Sequence, residues 1–209
     1  MLIVVGGHSR NIGKTSVVCG VIRTLPGWNW TAIKITQFGH GVCSRHGEPC
    51  DCADPVHPVV ISEERGDAAS SDSGRFLAAG AKHAFWVRTP AGKLYEAMPR
   101  VRRLMDQAEN VIIESNSILR FLKPDLCAMV MDGSVADFKP STQRFLDRAD
   151  VLVVTSGAAL GWAGVPAALF RGKPQFRALA PGYESAAFIA RVHGAALKIA
   201  PAKADHPHS

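Results

Sequence analysis

The sequence predicts an α/β protein in which helices cover both faces of a mostly parallel central sheet. Its 209 residues are enough for one domain with a full hydrophobic core. Hydrophobic residues make up 47% of the chain and charged residues 20%, which is typical of globular proteins. Apolar strand patterns alternate with helical patterns, as in a sheet whose strands are joined by crossover helices. We expect a single domain over residues 1–200 and a flexible tail over residues 201–209.

The elements follow from the hydrophobic pattern along the chain. Residues 2–5 form an apolar, β-branched run that is typical of a buried parallel strand, and residues 14–25 read as a helix. Further strands are expected at residues 30–35, 84–88, 111–114, 126–131, 151–155 and 175–180, and further helices at residues 74–81, 93–109, 116–122, 141–149 and 185–197. Periodicity fades between residues 36 and 71, and so long a stretch in a compact domain is usually functional or mobile.

The turn after the first strand carries the strongest functional signal. It reads Gly6-Gly7-His8-Ser9-Arg10-Asn11-Ile12-Gly13-Lys14-Thr15. A strand, a glycine-rich turn, Gly-Lys-Thr and a helix form the context of a P-loop, in which backbone N–H groups and a helix N-terminus converge on phosphates. Lys14 is expected to reach the β- and γ-phosphates, and the Thr15 hydroxyl to bind Mg²⁺. The alternative is a turn that only connects the strand to the helix. The sequence therefore favours a three-layer P-loop NTPase fold and magnesium-dependent nucleotide binding.

The expected nucleotide contacts extend from this loop to the second strand. They are Gly7, His8, Ser9, Arg10, Asn11, Ile12, Gly13, Lys14, Thr15, Ser16 and Lys34. Lys34 either contacts phosphate or a substrate carboxylate, or is solvated. Arg10 either supplies a transition-state cation or faces solvent. The sequence contains no Asn-Lys-x-Asp guanine signature, which favours ATP over GTP.

Two carboxylates join Lys14 as candidate catalytic residues. Glu114 ends an apolar strand and is expected to point into the crevice where α/β sheets bind ligands. There it would hold Mg²⁺ opposite Thr15, or alternatively cap the next helix. Asp72 would serve Mg²⁺ or a water near the γ-phosphate, or alternatively cap the helix that follows it.

Several segments resemble known families. Five residues separate Gly7 from Gly13 where the common P-loop has four, and this spacing resembles dethiobiotin synthetase and related ATP-dependent amidoligases. Three later segments resemble the MobB-type molybdopterin-guanine dinucleotide biosynthesis adaptors: Ile33-Lys34-Ile35-Thr36 with His40, Asp72-Ser73-Gly74-Arg75 with Ala79-Gly80-Ala81, and Val111-Ile112-Ile113-Glu114. Ser115 stands where both families have glycine. The resemblance implies either an enzyme that activates a small acid by phosphoryl transfer, or a nucleotide-dependent adaptor that acts on a partner protein. Related folds also imply a homodimer.

The segment from 36 to 71 is a Cys/His-rich insert. It holds His40, Cys43, His46, Cys50, Cys52 and His57 within 18 residues. Thiolates with imidazoles suggest Zn²⁺ or an iron–sulfur cluster bound by Cys43, Cys50 and Cys52, although their spacing matches no standard motif. Such a protein would be a metallocluster-carrying ATPase. The alternative is a mobile substrate loop whose thiols are incidental, whereas Cys19 and Cys127 are expected in the core.

The net charge and the N-terminal residues indicate which ligands and which cellular location to expect. The formal charge of +6 favours anionic ligands, but Lys and Arg are scattered, so phosphates and small acids are preferred over nucleic acid. The chain enters an apolar strand pattern directly after Met1, without a basic lead or a long apolar run. We therefore expect a cytoplasmic protein without a membrane span.

Overall fold

The computed structural model describes residues 1–38, 59–65 and 71–199. Within these ranges eight strands form one sheet. The strands are β1 (Leu2–Gly7), β2 (Trp30–Phe38), β3 (Val60–Glu63), β4 (His83–Pro90), β5 (Asn110–Glu114), β6 (Leu126–Met131), β7 (Val151–Val154) and β8 (Gln175–Arg177). The helices are α1 (Lys14–Thr24), α2 (Gly74–Ala78), α3 (Leu94–Asp106), α4 (Pro140–Phe145) and α5 (Ala186–Ile199). Short 3₁₀ turns lie at Pro26–Trp28, Ser117–Arg120, Leu146–Arg148 and Ala167–Leu169.

The predicted three-layer architecture is confirmed. The strand order is β3-β4-β2-β5-β1-β6-β7-β8, and every neighbouring pair is parallel except β3 with β4. One hydrophobic cluster joins α1, α2 and α5 to the sheet, and a second cluster joins α3 to the opposite face. Strands such as β6 are buried along their whole length, since helices cover both faces.

This topology fixes where a ligand can enter. β1 lies between β5 and β6, and the chain crosses from β1 through α1 to β2, on the far side of β5. Parallel strands on either side of such a change in direction open a crevice at their carboxyl ends. The glycine-rich turn, which follows β1 and begins α1, therefore lies at the mouth of the crevice.

Several elements differ from the sequence expectation. β3 lies inside the segment expected to lack regular structure, because hydrogen bonds from β4 stabilise this four-residue antiparallel edge strand. The helix expected at residues 116–122 is the single 3₁₀ turn Ser117–Arg120. α2 ends at Ala78, shortly before Gly80 adopts a φ of +103°.

The cysteines divide into two groups. Cys19 and Cys127 are buried free thiols, and burial raises their pKa values to about 11 and about 12, so both are core residues as predicted. The remaining thiols, Cys43, Cys50 and Cys52, lie outside the described residues, and their role as metal ligands stays a prediction. Among the residues that the structure describes, no helix combines the length and hydrophobicity needed to cross a membrane.

Candidate functional site

The turn after β1 follows a path that requires glycine. Gly13 has a φ of +89°, in the left-handed region, and a Cβ there would lie 2.4 Å from the ring of Tyr183. A Cβ on Gly7 would lie 2.7 Å from Cδ of Lys14. Gly7 therefore lets the backbone pass close to the stem of Lys14, which begins α1, and Gly13 lets the turn pack against Tyr183.

Side chains from distant elements hold the turn in place. The Asn116 amide accepts from the Gly7 N–H at 2.8 Å and donates to the Gly7 carbonyl at 3.0 Å. Thr142 in α4 also donates to the Gly7 carbonyl, at 2.7 Å, and Thr155, after β7, donates to the Ile12 carbonyl at 2.9 Å. Sequence reasoning missed these three side chains as anchors; the only signal was that Asn116 and Thr155 lie just after the carboxyl ends of β5 and β7. Four hydrogen bonds from distant elements thus hold the backbone of the turn in one conformation.

The side chain of His8 also helps to hold the turn in place. Its ring is fully buried, its Nε2 accepts from the Asp132 N–H at 3.0 Å, and its Nδ1 lies 2.9 Å from the Asp137 carbonyl. Because a backbone N–H can only donate, Nε2 is the acceptor and Nδ1 carries the proton of a neutral imidazole. Burial also lowers its pKa. The ring packs against Phe138 and Trp162, so this side chain supports the backbone of the turn.

The inside of the turn is positively charged. The Lys14 ammonium donates to the Ser9 carbonyl, and burial lowers its pKa even though Glu114 acts in the opposite direction. Burial also lowers the pKa of Lys139 to about 8, and repulsion from Lys14 and Arg10 adds to this shift. Several cations therefore converge on one small region and destabilise each other, which an anion would relieve.

The other predicted contacts of the turn lie around this region. Ser9 donates through its hydroxyl to Oδ2 of Asp137 at 2.5 Å, and Ile12 is buried. Arg10 and Asn11 are exposed, and Asn11 has a φ of 54°. The turn thus buries its ends and presents its tip to solvent.

The base of the crevice holds a connected polar group. The Thr15 hydroxyl donates to Oε2 of Glu114 at 2.8 Å. Nζ of Lys34 lies 3.3 Å from Oγ1 of Thr15 and 3.2 Å from Oε1 of Glu114, and it also pairs with Asp72. Lys34 is only 9% exposed and Glu114 only 5%. Burial lowers the pKa of Lys34, but the carboxylates of Glu114 and Asp72 outweigh this effect and raise it overall, so the ammonium stays charged.

At the two elements that Glu114 and Asp72 were considered to cap, serine hydroxyls rather than these carboxylates accept from backbone N–H groups. Ser115 accepts from the Ile118 N–H at the 3₁₀ turn Ser117–Arg120, and the Ser71 hydroxyl accepts from the Gly74 N–H at the start of α2. Glu114 and Asp72 are therefore free to face Lys34. Lys34 is buried rather than solvated.

These oxygens suit one kind of metal. Two carboxylates and one hydroxyl are the donors that Mg²⁺ uses when phosphate and water complete its shell. Among residues 1–38, 59–65 and 71–199, no three His, Cys, Asp or Glu side chains form a group that could hold a metal ion. Thr15, Glu114 and Asp72 thus supply oxygen donors of the type that Mg²⁺ binds.

A cavity of about 260 Å³ lies beside α1, which lines it from Ser16 to Arg23. Its lining includes Ser16, Cys19, Arg23, Arg75, Pro181 and Gly182. Arg75 donates to the Ser16 hydroxyl at 3.0 Å, while Arg23 pairs with Glu184 at 2.9 Å. Ser16, which directly follows Thr15, therefore connects the lining of this cavity to the turn after β1.

Comparisons with known proteins agree with the fold. No protein-family model matches the sequence, and no curated protein matches it. Among solved structures, the chain is similar to LpxK from Aquifex aeolicus in complex with ATP, with 19% identity and a TM-score of 0.50 over 84% of this chain and 53% of that one. The chain thus spans about half the length of LpxK, and the likeness is one of fold.

Two further similarities have lower scores. HypB from Helicobacter pylori in complex with nickel is 10% identical, with a TM-score of 0.45 over 99% of this chain and 90% of that one. Bacillus subtilis MobB is 12% identical, with a TM-score of 0.42 over 92% of this chain and 96% of that one. The parallel sheet, the turn after β1 and the helix that follows it define the three-layer P-loop NTPase fold predicted from the sequence.

Proposed function

We propose that this protein binds a magnesium nucleoside triphosphate, with ATP favoured, and transfers or hydrolyses its γ-phosphoryl group. The observation that carries the proposal is the position of Thr15. Its hydroxyl lies in the first turn of α1, directly after Lys14, and bonds to a buried carboxylate at the end of β5. An anion-binding turn, a lysine and a metal-binding pair of oxygens therefore meet at one place.

Each part of the site has a role in this proposal. The backbone N–H groups at the start of α1 and the Lys14 ammonium would hold the phosphates, with Lys139 and Arg10 adding positive charge. Thr15, Glu114 and Asp72 would hold Mg²⁺, which supplies charge neutralisation on the phosphate oxygens when bound. The anchors Asn116 and Thr142 keep the turn in shape, so little free energy is spent on ordering it.

The cavity beside Ser16 would receive the nucleoside. A triphosphate anchored at Lys14 and Thr15 has its inner phosphate beside Ser16, and the ribose and base extend from there. Arg75 and Arg23 line this cavity and offer N–H donors and planar guanidinium surfaces to a base. ATP remains favoured, because the Asn-Lys-x-Asp guanine signature is absent from the sequence.

The acceptor of the phosphoryl group would be a small acid. Lys34 lies at the γ-phosphate end of the proposed site, where an ammonium can attract the carboxylate of a substrate. The second candidate is an adaptor that binds nucleotide and acts on a partner protein. It is favoured by the segment Asp72-Ser73-Gly74-Arg75, which resembles the MobB-type adaptors, and its Asp72 lies at Lys34.

Titration with fluorescent ATP and GTP analogues tests the proposal. We expect binding that strengthens when Mg²⁺ replaces EDTA, and tighter binding of the ATP analogue. Phosphate release by the protein alone would favour the enzyme, whereas binding without turnover would favour the adaptor. If neither analogue binds at millimolar concentrations, the proposal is wrong.

The affinity for ATP is also expected to fall as the pH rises through about 8. Below this pH Lys139 is charged, and above it the neutral amine no longer attracts phosphate. Bound phosphate should raise the pKa of Lys139, so binding near its pKa takes up protons, which calorimetry in buffers of different ionisation enthalpy detects. The variant Lys139→Met should bind more weakly at about pH 7 and respond less to pH. An unchanged pH profile in this variant, with exposed Lys82→Met as the control, would contradict the assignment.

A further inference from the structure

The Lys34 ammonium satisfies all three of its N–H donors within one small group of oxygens. The acceptors are Oγ1 of Thr15 at 3.3 Å, Oε1 of Glu114 at 3.2 Å and Oδ2 of Asp72. They come from α1, from β5 and from the segment before α2. A lysine ammonium has three donors and no acceptor, so this arrangement leaves none of them unused.

The same three oxygen-bearing groups are those proposed to hold Mg²⁺. Magnesium requires oxygen ligands at about 2.0–2.1 Å in a nearly octahedral shell. Lys34 already lies within 3.3 Å of all three groups, in a region where it is 9% exposed. An ammonium at this position competes with a magnesium ion for these ligands, because both are attracted to the same oxygens and repel each other.

We propose that Lys34 is an internal cation that occupies the magnesium ligands of the nucleotide-free protein, so that the metal enters only together with the nucleotide. This inference rests on the proposed function. It explains why a lysine in the middle of β2 is buried between two carboxylates, beside the carboxyl end of β5.

The charge balance supports this order of binding. Glu114 and Asp72 contribute two negative charges and Lys34 one positive charge, while Lys14 in α1 and Arg75 in α2 add positive charge nearby. Metal arriving alone would displace an ammonium whose hydrogen bonds, within the described ranges of the chain, all go to these three groups, and an unpaired buried charge is costly. A triphosphate provides new acceptors, and Lys34 can then leave Thr15 and Glu114 for the phosphate oxygens.

Binding of Mn²⁺ to the nucleotide-free protein tests the inference. The free ion has a strong electron paramagnetic resonance signal that disappears when it binds, so its affinity is measured without any enzymatic reaction. Wild type should bind Mn²⁺ weakly without nucleotide. Lys34→Met, which keeps the length of the side chain and removes its charge, should bind Mn²⁺ about tenfold more tightly or better.

Two further variants control for charge. Lys34→Arg keeps the cation and should retain weak Mn²⁺ binding. Lys14→Met removes a neighbouring ammonium that donates to the Ser9 carbonyl and not to the three oxygens, so it should give a smaller gain. Lys34→Gln serves as a second neutral variant if circular dichroism shows that Lys34→Met is unfolded.

The outcomes separate this inference from the proposed function. Tight Mn²⁺ binding by the nucleotide-free wild type overturns the inference and requires no variant. So does an unchanged Mn²⁺ affinity in the neutral Lys34 variants while the wild type binds a fluorescent ATP analogue, and in that case the proposed function stands. If the wild type binds no nucleotide, the proposed function fails together with the inference that rests on it.

Discussion

Replacing Lys14 by alanine is expected to weaken ATP binding by about 100-fold, or about 2.7 kcal/mol, while the fold stays intact. The ammonium lies inside the turn and would form charge-assisted bonds to the β- and γ-phosphates, which no other side chain in the turn replaces. Stability should not fall, because burial lowers the pKa of Lys14 and its charged form is therefore disfavoured in the folded protein.

The measurement is a titration with a fluorescent ATP analogue beside urea unfolding of the same samples. The matched control is Lys82→Ala, which removes an exposed lysine beside β4. It should bind nucleotide as the wild type does. If Lys14→Ala and the wild type bind the ATP analogue with equal affinity, the turn does not bind nucleotide through Lys14.

Replacing Glu114 by glutamine should abolish most of the effect of magnesium and also reduce stability. Glutamine keeps the volume and can still accept from Thr15, but the buried Lys34 ammonium loses one of its two carboxylates. Breaking a buried pair in this way costs about 3 kcal/mol, and an amide oxygen is a weaker magnesium ligand than a carboxylate. We therefore expect Mg²⁺ to raise ATP affinity far less in the variant than in the wild type.

Magnesium titrations at fixed ATP and urea unfolding measure the two effects separately. Glu109→Gln is the control, since the Glu109 side chain is exposed and accepts across the surface from the Asn29 amide. A Glu114→Gln protein with the magnesium response and stability of wild type would show that this carboxylate neither holds the metal nor balances Lys34.

The local parts of the site could be predicted from the sequence. The turn from Gly6 to Thr15 is one contiguous segment. The order of its glycines, lysine and threonine is therefore enough to predict a P-loop. The position of Glu114 at a strand end followed from a short apolar run, and the structure brings it to Thr15 across 99 residues. Parallel strands align their carboxyl ends, so this meeting follows from the fold class.

The supporting residues could not be predicted in the same way. Thr142 and Asn116 meet Gly7 from 135 and 109 residues away, and no local pattern marks a side chain that bonds to a distant backbone. Lys34 is similar, because its burial depends on Asp72, which lies 38 residues later. Such contacts are set by tertiary packing, and the sequence offers only the residue type.

The most direct measurement is a crystal structure of the protein with Mg²⁺ and a non-hydrolysable ATP analogue. The account predicts a triphosphate inside the turn at residues 6–15, with the Lys14 ammonium moved from the Ser9 carbonyl onto a phosphate. Magnesium should lie between the triphosphate and Thr15. If the Lys14 ammonium still donates to the Ser9 carbonyl at saturating nucleotide, and no triphosphate lies beside the turn, the central claim is contradicted.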